Sequence, residues 1–277
     1  MSTNLSAARS PTPAPAPADE PIVEFKELWK SYSGRAVLAG VNLKIRRGEV
    51  LCVLGPSGTG KSVTLRHING LTRPDAGDVR VFGESIVGHS EEELSPVRRR
   101  LAMLFQGGAL FDSMNVEDNI AFPVREHTEK TPSEVVALVA EKLDMVGLPG
   151  IQRKMPSELS GGMRKRVALA RSIALEPEII LYDEPTTGLD PVSSEKIAQL
   201  IVSVNERLQT TSVVVTHDIV AARTVADRVV FLHQGLFQFI GTFDEAASST
   251  HPVLMEYFRA MGFPCGTGVF QTAPKGV

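Results

Sequence analysis

Thiols are scarce in this chain of 277 residues: there are two, Cys52 and Cys265, far apart and in neither a CxxC nor any metal-binding spacing. Thiolate metal chemistry is therefore not expected, and Cys52, inside an apolar run, reads as a small buried hydrophobe in a reducing compartment. A basic excess is also missing. Lys and Arg number 29 against 32 Asp and Glu, a formal net charge of -3, so no nucleic-acid partner is expected. No apolar run approaches the roughly 18 residues of a membrane-spanning helix, and the first residues hold no apolar signal core. The expectation is a cytoplasmic protein that reaches a membrane only through a partner. What is present is ordinary for a folded domain, 43% hydrophobic and 22% charged residues.

Residues 1–20 are rich in Ala and Pro and read as a disordered lead. From Pro21, "PIVEFKELWKSY" and "VNLKI" alternate apolar and polar residues as half-covered strands do, whereas "EVLCVLG" is a continuous apolar run that suits a strand buried on both faces. "KSVTLRHING" predicts a helix with Leu65 and Ile68 inward and Gly70 at its end. Thr131 and Glu134 form a capping box around Pro132, opening a helix in a segment that reads as a helical insert over about 107–160. "EIILYD" and "SVVVTHD" return to strands. Between them a helix capped by Asp190 carries Ile197, Leu200, Ile201, Val204 and Leu208 on one face. "DRVVFLHQGLFQFIG" predicts a hairpin turning at His233 to Gly235. Strands alternating with helices predict an α/β sheet. A domain over 21–250 and a tail over 251–277 complete the division.

The chemistry begins at "GPSGTGKS", which fits G-x-x-x-x-G-K-S between an apolar strand and a helix. Gly55, Gly58 and Gly60 let backbone N–H groups close on phosphate oxygens. Pro56, Ser57, Thr59 and the following Val63 complete the loop's nucleotide-binding surface. Lys61 is placed to neutralise β- and γ-phosphates, and Ser62 to offer its hydroxyl to Mg²⁺. "IILYDEP" ends a buried strand on an acidic pair: Asp183 can reach the metal, and Glu184 can act as general base on an attacking water. His217 and Gln106 follow two further strands. The histidine reads either as a structural residue or as a contact to the γ-phosphate. Gln106 reads either as a solvent-exposed amide or as a ligand to the metal or the attacking water. "LSGGMRKR" predicts a second anion-binding helix start, with Ser160 as N-cap. Its basic run, Arg164, Lys165 and Arg166, reads as a solvated face.

Phosphate loop, Gln106, "LSGG", "LYDEP", "TTGLD" and His217, in that order, resemble the ATP-binding cassette (ABC) family over residues 22–242. The resemblance implies a phosphate-loop NTPase fold of ABC type: a mixed central β-sheet, an antiparallel β portion and a helical insert subdomain. It implies a head-to-tail dimer in which Ser160, Gly161 and Gly162 of one copy meet the ATP held by the other, with Asp190 linking the two sites and Tyr32 stacked on adenine. "MLFQGGALFDSMNVEDNIAFPVREHT" and "PSELSGGMRKRVALARSIALEP" are similar to the ATPases of Mla/Mce-type phospholipid transporters, which also carry methionine at the position of Met163. That similarity implies an integral membrane permease docking near Phe111 to Ile120, an Mce-type lipid-binding protein, and a place on the cytoplasmic face of the inner membrane. The tail is left open between packing on the neighbouring copy, binding a small regulatory subunit, or neither. A single phosphate loop and a short helical insert disfavour translation and repair ATPases, and "LSGG" with His217 disfavours a phosphate-loop kinase.

Overall fold

Alternation builds the first layer. In the computed structural model, which describes residues 20–263, β1 (Val23–Tyr32) and β2 (Arg35–Ile45) pair antiparallel, as their sequence pattern predicts. The chain then runs through β3 (Val50–Leu54), α1 (Lys61–Ile68), β4 (Ala76–Val81) and β5 (Glu84–Ser85). Strands β4 and β5 join the first two in a four-stranded antiparallel sheet, ordered β2-β1-β4-β5.

After α2 (Glu91–Arg99) comes β6 (Leu101–Leu104) and then the insert. The insert consists of α3 (Val116–His127), α4 (Pro132–Met145) and a 3-10 turn at Pro156–Glu158, leading into α5 (Gly161–Ser172). The capping box of Thr131 and Glu134 is formed, with Pro132 in the first turn. Next are β7 (Ile179–Asp183), α6 (Pro191–Leu208), β8 (Thr211–Val215), α7 (Ile219–Val225), and the hairpin of β9 (Arg228–His233) and β10 (Leu236–Gly241). Helices α8 (Phe243–Ala247) and α9 (Pro252–Ala260) finish the described chain.

The second sheet has six strands in the order β10-β9-β3-β8-β7-β6, all parallel except β10. The expected mixed sheet is this one, and the antiparallel portion is mostly a separate layer. Strand β3 shows why the sequence there is apolar without a break. Val50, Cys52 and Leu54 point into the helical core, while Leu51 and Val53 point into the core shared with the antiparallel sheet. Each such buried side chain contributes about 1.5–3 kcal/mol, so a polar residue on either face of β3 is costly. Cys52 is fully buried, and burial pushes its thiol pKa up, as a packing role requires. Cys265 and the lead up to residue 19 lie outside the described residues. The start of the expected tail is built into the body: Leu254, Tyr257 and Phe258 of α9 belong to the helical core.

Candidate active site

Strands β3, β8, β7 and β6 are consecutive parallel neighbours, so their carboxyl ends share one edge. That edge is where open α/β sheets hold ligands. Beyond it lies a cleft of about 570 Å³ lined by Tyr32, Ser57, Gly58, Gly60, Lys61, Ser62, Val63, Gln106, Glu184 and His217, with Val37 and Thr187. Gly55, Pro56 and Thr59 continue the loop behind this lining, and Thr59 Oγ1 donates to Pro56 O at 2.8 Å.

The loop between β3 and α1 is bent by its glycines. Gly60 has φ 101°, and a Cβ there stands 2.0 Å from Val37 Cγ1. Helix α1 begins with no side-chain cap and no acidic residue in its first turn, which leaves its positive end to an anion. Lys61 is buried. Its Nζ donates to Gly55 O at 2.9 Å and Pro56 O at 3.1 Å, and lies 3.7 Å from Glu184 Oε1. Burial holds its pKa below the usual lysine value, against the pull of Glu184 and Asp183.

Ser62 Oγ donates to Asp183 Oδ1 at 2.6 Å, joining the first turn of α1 to the end of β7. Two hard oxygen groups side by side fit Mg²⁺, which takes one or two protein oxygens and completes its shell with water and phosphate. Glu184 follows with φ 50°, a left-handed conformation that costs a non-glycine residue about 1–3 kcal/mol. Its N–H donates to Val215 O at 2.9 Å, and Thr187 Oγ1 donates to its Oε2 at 3.1 Å. The same Oε2 lies 2.8 Å from His217 Nδ1. Gln106 sits two residues beyond β6, exposed to the cleft. Tyr32, at the end of β1, is also exposed, with Lys30 Nζ 5.3 Å from its ring centre.

Ser160, Gly161, Gly162 and Asp190 are not among the residues that line this cleft. Ser160 caps α5, accepting from Met163 N at 3.3 Å, and the first turn of α5 also lacks an acidic side chain. Ser160 and Gly161 are exposed. Asp190 caps α6 by accepting from Ser193 N at 3.0 Å, and the hydrogen bonds from Ser193 hold its carboxyl below the usual carboxylate range. Met163 packs against the helical core, an apolar use of that position.

One expectation is overturned here. The basic run after "LSGGM" is not a solvated face throughout. Arg164 is exposed, but Arg166 Nη1 donates to Val146 O at 3.4 Å and Gly147 O at 3.3 Å. Lys165 is buried, and its Nζ donates to Gln106 O at 2.6 Å and Glu184 O at 3.3 Å. The signal is in the spacing: Lys165 precedes Ala168 and Leu169 by three and four residues and so shares their buried helix face.

The family described as ABC transporter matches residues 38–187. A Mycobacterium leprae relative, the probable ribonucleotide transport ATP-binding protein mkl, is 46% identical over 237 residues, 86% of this chain and 68% of the relative. The intermembrane phospholipid transport system ATP-binding protein MlaF of Escherichia coli K12 is 43% identical over 211 residues, 76% of this chain and 78% of the relative. The dimeric structure of the ATP-binding cassette MJ0796, in a post-hydrolysis state bound to ADP and Pi, is 34% identical with a TM-score of 0.74, covering 80% of this chain and 98% of that one.

Proposed function

From a chain that belongs to the ABC transporter family and is the ATP-hydrolysing subunit of such a transporter, we infer that the work it drives is phospholipid transport. The observation that carries the hydrolytic assignment of residues is one constellation. Lys61, the Ser62–Asp183 pair, the Glu184–His217 pair and Gln106 converge at the ends of four neighbouring parallel strands. The phospholipid cargo is supported by the similarity to MlaF.

In this reading ATP lies along residues 55–63 with adenine on Tyr32, and Lys61 turns from the loop carbonyls to the β- and γ-phosphates. Mg²⁺, held through Ser62, Asp183 and Gln106, supplies charge neutralisation at the phosphates when bound. Glu184 takes a proton from the water whose oxygen attacks the γ-phosphorus, while the bond from that phosphorus to the bridging oxygen of ADP breaks. His217 keeps the carboxylate aimed through its 2.8 Å contact and presents its remaining ring nitrogen to the γ-phosphate. Ser160, Gly161 and Gly162 complete the site of a second copy, which is why they stand apart from their own cleft, and Asp190 relays between the two sites. The dimeric form of MJ0796 supports this arrangement.

Among the described residues no helix is long and apolar enough to cross a membrane. In the same reading a permease carries the cargo across the inner membrane, with this subunit on its cytoplasmic face and an Mce-type protein receiving or delivering lipid, a division of labour that the similarity to an intermembrane phospholipid transport system supports. The surface that suits a permease is a groove of about 490 Å³ lined by Phe105, Phe111, Phe122, Arg171 and Leu175, among others. Ile120 is turned away into the core, and Phe111 and Phe122 pair with ring centres 5.1 Å apart.

Glu184→Gln tests the chemistry. It keeps the shape and removes the base, so hydrolysis falls about 10²–10⁴-fold while ATP binding persists and a closed dimer accumulates. Hydrolysis at the normal rate would remove Glu184 from its role. A second cargo, a ribonucleotide, is favoured by the name of the M. leprae relative. Reconstitution with the membrane partners, comparing ATP-driven movement of labelled phospholipid and of labelled ribonucleotide, separates the two.

A further inference from the structure

Helix α5 grips the loop after β6 at two places. Lys165 Nζ donates to Gln106 O at 2.6 Å, and Arg171 donates to Gly108 O at 3.1 Å. Between them the helix comes close enough that a Cβ on Gly108 stands 3.3 Å from Ala168 Cβ. Loop and helix are therefore tied to each other at both ends of this contact. Lys165 does more, because the same ammonium also reaches Glu184 O at 3.3 Å on the end of β7.

Three groups form a short chain: carbonyl of Gln106, ammonium of Lys165, carbonyl of Glu184. A buried ammonium needs its donors satisfied, and these two carbonyls take two of its three. Glu184 in turn needs an anchor, since its φ of 50° persists only where surroundings over-determine it. On one side Val215 O receives its N–H, and on the other its carbonyl accepts from both Thr187 N and Lys165 Nζ, each at 3.3 Å; of these, Lys165 is the contact that comes from α5. Lys165 lies five residues past Ser160 on the same helix. Helix α5 thus connects the "LSGG" end, within one protomer, to the backbones of both Gln106 and Glu184.

We propose that Lys165 is a positioning residue for ATP hydrolysis, fixing the backbones of Gln106 and Glu184 relative to each other and to helix α5. It touches no nucleotide in this scheme. The inference rests on the reading of Glu184 as general base, and it adds the device that makes that base respond to helix α5 and its "LSGG" start.

The test is Lys165→Met, Lys165→Arg, Lys142→Met and Glu184→Gln in the full-length protein, each measured for kcat, ATP affinity and thermal unfolding. Lys142→Met is the control for loss of a buried cation away from the cleft: Lys142 is fully buried and pairs with Glu141 and Glu176 at 2.9 Å each. A misplacement of the reacting groups by about 1 Å costs up to 10²-fold. Lys165→Met is accordingly expected to lower kcat roughly ten- to a hundredfold with ATP affinity within about twofold of wild type, and Lys165→Arg to restore much of the rate. Lys142→Met is expected to lower stability and leave kcat per folded molecule unchanged. Wild-type kcat in Lys165→Met overturns the proposal. So does a loss of kcat matched by loss of ATP affinity, or reproduced by Lys142→Met, since either means general loosening. If Glu184→Gln hydrolyses ATP normally, the general-base reading fails on its own account, whatever Lys165→Met does.

Discussion

Adding one methyl group to the phosphate loop separates two reasons for glycine that the motif does not distinguish. Gly58 has φ 77° and nothing within 4 Å of where a Cβ would stand, so Gly58→Ala meets only the backbone cost, about 1–2 kcal/mol for a left-handed alanine. Gly60 has φ 101° and places the same methyl 2.0 Å from Val37 Cγ1 and 3.2 Å from Val37 O. Its cost is therefore about 1–3 kcal/mol of backbone strain plus about 1–3 kcal/mol of overpacking. Trimming Val37 to alanine removes the colliding Cγ1 but neither the φ nor the carbonyl. In a double-mutant cycle, Gly60→Ala should thus cost about 1–3 kcal/mol less in the Val37→Ala background than in wild type. Urea unfolding reads the stabilities, and titration with a fluorescent ATP analogue reads the loop, which Gly60→Ala should weaken more than Gly58→Ala. The reasoning fails if Gly60→Ala is no more costly than Gly58→Ala, or if the cycle shows no coupling to Val37.

Two further substitutions probe the ends of helices. Ser160→Arg puts a long cation at the exposed start of α5; ATP binding to its own cleft should persist while hydrolysis is blocked, and wild-type turnover would argue against a site shared between two copies. Thr131→Ala removes the capping box of α4, away from the cleft. It should lower stability by about 1 kcal/mol and leave kcat unchanged, with thermal unfolding and ATPase rate as the two measurements.

How much of the fold is legible in the sequence follows from how local each signal is. A strand buried on both faces needs every residue apolar, so "EVLCVLG" announces β3 without help from the rest of the chain. The phosphate loop is equally local, because close approach and a lysine at fixed spacing are written in eight residues. Helix α2 escapes a reading by periodicity because it has almost no apolar stripe: Leu94 is its one buried residue, and Pro96 lies inside it. The separation of the antiparallel strands into their own sheet depends on pairings between β1 and β4, a long-range choice that alternation alone does not specify.

Lys165 marks the boundary between these cases. Composition around it says solvent, since three cations in a row have no local reason to be buried. The helix period says otherwise, because the residues three and four positions on are apolar. The period prevails because burial at that face is compensated: carbonyl oxygens from two distant loops arrive where the ammonium needs acceptors. The burial of a charged residue is therefore explained only when its acceptors are known. In this chain those acceptors are the backbone of Gln106 and Glu184, which the sequence identifies as chemical residues by their side chains alone. The spacing places the cation on the buried face, but what satisfies its charge is legible only after the fold has brought α5, β6 and β7 together.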